Sequence, residues 1–227
     1  MIYWAKFLAV FVLVNKMRQI GFFGGTFDPP HIAHRQMALA FADFLSLDEV
    51  ILIPAGQPYH KNPTQTSTEH RLKMCCLLAE SDSRLSVSDI DIVRQGATYT
   101  IDTLTIFQQT MPEVGLWWLM GSDSMRQFHT WKRYQELLHI ANFAIACRGH
   151  DDFSDAEDIT KTLLEQGQKH AEQNQTTGQI ILLPTQPENI SSTQIRTAIA
   201  HGEDVHQWIE PSVMAYIQEN YLYQKQE

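Results

Sequence analysis

The sequence predicts an α/β fold, a doubly wound and mainly parallel sheet with a C-terminal helical segment. Three observations carry that expectation. Short apolar runs recur along the chain, stretches with apolar residues at helical spacing separate them, and loops suited to an anion follow the first and the last run. Alternating strand and helix give parallel strands joined by right-handed crossovers, and such sheets bind ligands beyond the carboxyl ends of their strands.

In chain order the strand candidates are Gln19–Phe23, Glu49–Pro54, Arg84–Ile92, Gly115–Met120, Ala141–Cys147 and Gln179–Leu183. Between them, Met37, Ala40, Phe41 and Phe44, and then Leu72, Cys75, Cys76 and Leu78, fall at helical spacing. Trp117 and Trp118, inside an apolar strand, read as core. The segment His150–Gly178 is polar and rich in Asp, Glu and Gln, and is expected to form a surface helix with flexible flanks and no chemistry. Pro211–Tyr223 has Pro at a helix N1 position and Val213, Ile217 and Leu222 near helical spacing, which predicts a closing helix packed on the fold.

The start of the chain needs its own account. Ile2–Val14 is apolar apart from Lys6, shorter than the roughly 20 residues of a membrane span, and no small-x-small cleavage pattern follows it. Arg18–Gly25 then reads as a buried first strand. The expectation is that translation begins at Met17, that residues 1–16 are an extension outside the catalytic domain, and that residues 17–227 form a single domain with C-terminal helices. The competing expectation is a weak membrane anchor. A stable membrane association is not expected.

With 227 residues there is enough apolar material for one sizeable domain. The 17 basic and 26 acidic side chains, a formal charge of −9, argue against a general nucleic-acid binder, which needs a basic face. Cys75, Cys76 and Cys147 have neither metal-ligand spacing nor the density of a disulfide scaffold, which fits a reducing cytoplasm.

The first loop is Gly24–His34, GGTFDPPHIAH. Glycine allows close backbone approach to a phosphate and conformations closed to other residues, and the unpaired N–H groups of a helix beginning near His31 attract anions. His31 and His34 share one face of the first turn, where two imidazoles can donate to charge building on a phosphoryl oxygen. A glycine pair after a strand is also a common turn, and an HxxH pair without a third ligand does not make a zinc site. No GxxxxGK[ST] loop is present. The second loop is Asn189–Arg196, NISSTQIR. Ser191 or Ser192 is expected to cap a helix over Thr193–Ala200, which again leaves N–H groups and hydroxyls for an anion, with the Arg196 guanidinium one turn further on.

GGTFDPPHIAH and ISSTQIR together resemble the paired signatures of the nucleotidyltransferase superfamily related to class I aminoacyl-tRNA synthetases, and within it the nicotinate-nucleotide adenylyltransferases. The resemblance runs from about Met17 to Tyr223 and takes in Pro58–Lys61, Thr98–Leu104, Gly121–Ser124, Phe128–Trp131 and Cys147–Arg148 in order. Gly149 and His150 stand where the family often has Pro-Gly, which leaves a role for Arg148 open.

The resemblance implies a Rossmann-like nucleotidyltransferase fold. It also implies an adenylyltransferase of NAD biosynthesis whose partners are ATP and nicotinate mononucleotide, whose magnesium arrives with ATP, and which works in the cytoplasm. It implies catalytic roles for His31, His34 and Arg196. It places ATP against Gly24, Gly25, Thr26, Phe27, Lys61, Gly121, Asp123, Ser191 and Ser192, and nicotinate mononucleotide against Tyr99, Thr100, Trp131 and Lys132. Trp131 would stack on the nicotinate ring, and Tyr99 with amides near Thr100 and Lys132 would hold the carboxylate. Asp123 has helix capping as its plain structural use. The competing expectations are another acceptor, nicotinamide mononucleotide or phosphopantetheine, and a sensor that binds ATP without transfer. Ala33, where phosphopantetheine enzymes usually have Gly, together with Thr98–Leu104 and Trp131, speaks against phosphopantetheine, and the intact His31, His34 and Arg196 speak against a sensor.

Overall fold

A computed structural model describes residues 17–56, 66–94, 97–147, 153–183, 188 and 190–225. Residues 1–16, and with them the predicted N-terminal extension, lie outside the described residues. The chain alternates strand and helix: β1 (Arg18–Gly25), α1 (Ile32–Leu45), β2 (Glu49–Pro54), α2 (Thr68–Ala79), β3 (Leu85–Val87), α3 (Ile90–Val93), α4 (Thr100–Thr110) and β4 (Val114–Gly121) come first. Then follow α5 (Ser122–Arg126), a 3-10 turn at Phe128–Thr130, α6 (Tyr134–Ile140), β5 (Asn142–Ala146), α7 (Asp158–Glu172), β6 (Ile180–Leu183), α8 (Ser192–Ala200) and α9 (Pro211–Glu219).

The six strands form one sheet in the order β3-β2-β1-β4-β5-β6, and every neighbouring pair is parallel. The order reverses between β1 and β4, the place where a doubly wound sheet opens a crevice at its carboxyl edge. Successive strand residues point to opposite faces, so Phe23 and Trp117 pack beneath α1, α2, α8 and α9, while Phe22 and Trp118 pack beneath α4, α6 and α7. Both faces are covered, which is why the strands are apolar almost throughout.

The expected strand over Arg84–Ile92 is shorter than its apolar pattern. Only Leu85–Val87 pairs with β2; beyond it the Ile92 N–H donates to the Asp89 carbonyl at 2.8 Å and the chain turns into α3. Ser88 and Asp89 favour local turns over ladder pairing, and an edge strand has neighbours on one side only. Within the polar stretch before β6, α7 buries Leu163 and Leu164, so it is a packed surface helix. α9 begins at Pro211, which needs no N–H partner there. No described helix is long and apolar enough to cross a membrane.

Candidate active site

The loop after β1 owes its shape to two aromatic rings. A Cβ added at Gly24 would stand 2.6 Å from the Trp118 indole, and one at Gly25 would stand 2.9 Å from the Phe27 ring, so any side chain there displaces a ring. Neither glycine has a positive φ; the left-handed residue is Phe27, with φ 51°. The expectation that the glycines supply an otherwise forbidden backbone is corrected on this point: they make room for Trp118 and Phe27. Phe27 is buried edge-on against Phe23 and His34, with ring centroids 5.5 and 5.0 Å apart.

His31 caps α1 and His34 occupies its third position, with the ring centroids 3.7 Å apart. The His31 N–H donates to His34 Nδ1 at 3.2 Å. A ring nitrogen that accepts carries no proton, so the donor of the neutral His34 ring is Nε2. The first turn of α1 holds no acidic residue, which leaves its positive dipole end for an anion.

The second loop braces the first. Ser191 caps α8: its hydroxyl accepts from the Gln194 N–H at 3.2 Å, while its own N–H and hydroxyl donate to Gln194 Oε1 at 2.9 and 2.8 Å. The helix starts at Ser192, one residue before the expected Thr193. The Ser192 hydroxyl donates to the Pro29 carbonyl at 2.9 Å, so what Ser192 presents as a first-turn residue is its amide. Arg196 Nη1 donates to the Asp28 carbonyl at 2.7 Å and Nη2 to Thr193 Oγ1 at 3.2 Å. These bonds hold the guanidinium at the seam between the two loops.

Both helix starts open into one cavity of about 1140 Å³. It runs from His31, His34 and Arg196, past Gly24, Gly25, Thr26, Phe27, Ser191 and Ser192, to Gly121, Asp123, Tyr99, Thr100, Trp131 and Lys132. The structure therefore brings every described candidate to one wall or another of the same crevice. Lys61 and Arg148 lie outside the described residues. Gly121 caps α5, and a Cβ there would meet nothing within 4 Å, so the glycine leaves open space beside Asp123. Asp123 sits in the first turn of α5 and not at its cap.

At the far end Trp131 is half-buried, edge-on to Trp118 at 6.5 Å and tilted against Phe128 at 5.4 Å. Lys132 Nζ lies 4.1 Å from the Tyr99 ring centroid and 3.6 Å from Asp102 Oδ2. Asp91 contributes to the wall beneath; its Oδ1 accepts from Thr103 Oγ1 at 2.6 Å and from Arg94 Nη2 at 2.9 Å, and burial raises its pKa above the usual carboxylate range.

Three residues that line or brace the cavity escape motif reasoning. Trp118 is core, as expected, yet its ring also floors the cavity between Gly24 and Trp131. Alternation held the signal: of two adjacent tryptophans in a strand, each serves a different face. Arg71 is completely buried and donates to the carbonyls of Thr26 at 2.8 Å and Gly56 at 3.0 Å. Burial lowers its pKa, and the nearby Asp28 carboxylate opposes that shift. The apolar reading of this helix as Leu72, Cys75, Cys76 and Leu78 leaves Arg71 out; the buried stripe is Arg71, Met74, Cys75, Leu78 and Ala79. Tyr223, whose hydroxyl donates to Asp28 Oδ1 at 2.7 Å, gave no local signal.

The donors at the histidine end are imidazoles, amides and a guanidinium, a set that suits phosphate oxygens. Among the described residues no group of three His, Cys, Asp or Glu side chains could hold a metal.

Comparison with known proteins supplies the remaining findings. A family model described as cytidylyltransferase-like matches residues 22–198. A protein of Neisseria meningitidis serogroup B described as a probable nicotinate-nucleotide adenylyltransferase is 44% identical over 92% of this chain and 100% of its own length. One of the same description from Chromobacterium violaceum is 39% identical over 90% of this chain and 98% of its own. Among solved structures, Plasmodium falciparum nicotinic acid mononucleotide adenylyltransferase complexed with NaAD superposes with a TM-score of 0.71 at 20% identity, covering 91% of this chain and 97% of that one. At that identity the superposition speaks for the fold.

Proposed function

This chain belongs to the nicotinate-nucleotide adenylyltransferases, within the cytidylyltransferase-like family, and we propose that it transfers the adenylyl group of ATP to nicotinate mononucleotide. The products are nicotinate adenine dinucleotide and pyrophosphate, a step of NAD biosynthesis. The observation that carries the reading is the single cavity of about 1140 Å³, which joins two anion-binding helix starts to an aromatic wall. Its volume stands at the upper end of the few hundred to roughly 1,000 Å³ of ligand pockets.

In the reaction an oxygen of the mononucleotide phosphate attacks the α-phosphorus of ATP, a new P–O bond forms, and the bond to the β-phosphate bridging oxygen breaks. The attacking oxygen is already anionic, so no protein nucleophile is required. The protein's contribution is in-line positioning and stabilisation of charge. His34 is assigned to an α-phosphate oxygen through Nε2–H, and His31 to the neighbouring β-phosphate. Arg196, with Lys61, is assigned to the departing pyrophosphate. The Ser191 and Ser192 end of α8 and the Gly24–Phe27 backbone cradle the triphosphate, while Gly121 and Asp123 take the adenosine ribose. Trp131 stacks on the nicotinate ring, and Tyr99 with amides at Thr100 and Lys132 receives its carboxylate.

Those donors suit the phosphate oxygens; a magnesium ion arriving with ATP would be held by substrate and water and would supply charge neutralisation. Substrates of this kind are soluble, and the reading places the protein in the cytoplasm; the lack of any spanning helix among the described residues is consistent with it. Mass analysis of a reaction containing ATP, magnesium and nicotinate mononucleotide should detect nicotinate adenine dinucleotide equimolar with pyrophosphate. ATP bound but left intact would instead mark a nucleotide sensor.

A further inference from the structure

Where the two phosphate loops meet lies a buried polar device that touches two of the groups assigned to substrate, Arg196 and the Thr26 backbone, and borders the same cavity. Its centre is Asp28, 4% exposed. The Asp28 carbonyl accepts from Arg196 at 2.7 Å, and its carboxylate accepts from the Tyr223 hydroxyl at 2.7 Å. One residue of the first loop is therefore tied to the second loop through its backbone and to the C-terminal end of the fold through its side chain.

Tyr223 reaches that point by an unfavourable route. Beyond α9 both Tyr221 and Tyr223 hold left-handed backbone, with φ of 52° and 63°. Side-chain-bearing residues keep such angles only where the surroundings enforce them. The anchors are visible along the helix. Glu210, which caps α9, pairs at 3.2 Å with Arg35, the residue after His34, and the Tyr216 hydroxyl meets His70 Nδ1 at 2.8 Å, next to the Arg71 that grips the Thr26 carbonyl.

We propose that Tyr223 is a positioning residue for adenylyl transfer: its hydroxyl, through the Asp28 carboxylate, fixes the Thr26–Pro30 loop so that Arg196 and the first turn of α1 meet the triphosphate together. Without that hydroxyl a buried carboxylate loses a donor. The Arg196 guanidinium, already bonded to the same residue, is the donor it would recruit, at the expense of ATP. The inference rests on the cavity's histidine end being the ATP site.

The test is steady-state kinetics of Tyr223→Phe, Asp28→Asn and Asp28→Ala, well below their melting temperatures, with ATP and nicotinate mononucleotide varied separately. Tyr223→Phe is expected to lower kcat/KM for ATP about tenfold and leave KM for the mononucleotide unchanged. Asp28→Ala should lose at least as much, and Asp28→Asn, which keeps an acceptor without the charge, should recover most of it. A Tyr223→Phe protein that is less heat-stable but has normal kcat/KM for ATP would overturn the proposal, as would an equal loss for both substrates. If the unaltered protein turned over no mononucleotide, the functional reading would fail. The positioning role would still require weaker binding of a non-hydrolysable ATP analogue by Tyr223→Phe.

A second measurement reads the hydroxyl itself. Burial, and then the Asp28 carboxylate, push the Tyr223 pKa upward, against a Thr66 hydrogen bond and the Arg196 charge, which both favour the phenolate. The unfolded chain's phenol ionises near pH 10, so the stability it contributes is present below that pH and is lost as pH rises towards the higher folded value. The stability difference between the unaltered protein and Tyr223→Phe should narrow above about pH 10. A difference that stays constant there would contradict burial of the hydroxyl beside the Asp28 carboxylate.

Discussion

The His34 ring accepts from a backbone N–H with one nitrogen and is left with Nε2 as its donor. Removing a donor that acts mainly as charge develops lowers turnover far more than it lowers stability. His34→Ala should therefore reduce kcat by at least about a hundredfold with only a small fall in the urea midpoint; near-normal turnover would remove His34 from the mechanism. The proposed reading gives Trp131 to the other substrate. Losing its stacking surface, worth roughly a kcal/mol, should raise KM for nicotinate mononucleotide severalfold and leave KM for ATP alone, and equal losses would refute the assignment. At this scale the sequence was legible where a residue's use is local. His31, His34 and Ser191 sit at helix starts that the pattern places within a residue. Arg71, Asp28 and Tyr223 act across 45 and 195 positions of sequence separation, and no local pattern reports such bonds.

Elements owe their places to covered faces and shared rings. β1 pairs with β4 over Arg18–Phe23, and at the carboxyl end of that pairing Gly24 leaves room for the Trp118 indole against the β1 backbone. Gly24→Ala puts a methyl group into that ring. The expected cost is about 1–3 kcal/mol of unfolding free energy, typical of overpacking. The displaced indole should also disturb Trp131 and weaken mononucleotide binding. Denaturant unfolding together with KM checks both, and an unchanged midpoint would show that the contact is not tight. The strands were legible because parallel strands buried on two faces are nearly continuous apolar runs. β3 was overextended because Ser88, Asp89 and the apolar Ile90 and Ile92 continue the run while turning into α3. Periodicity in so short a segment does not separate a strand from a helical turn.

For the whole molecule, the alternation of elements was enough to expect a doubly wound sheet, and the order β3-β2-β1-β4-β5-β6 then dictates where a ligand sits. Nothing in that topology chooses an acceptor, since a fold hosts many chemistries. In the proposed reading the choice falls to Tyr99, Trp131 and Lys132, which line the cavity together. Pyrophosphate release with purified protein, ATP and magnesium, offered nicotinate mononucleotide, nicotinamide mononucleotide and phosphopantetheine in turn, tests that choice most directly. The highest kcat/KM should belong to nicotinate mononucleotide, with phosphopantetheine inert. Faster release with either of the other acceptors would contradict the account.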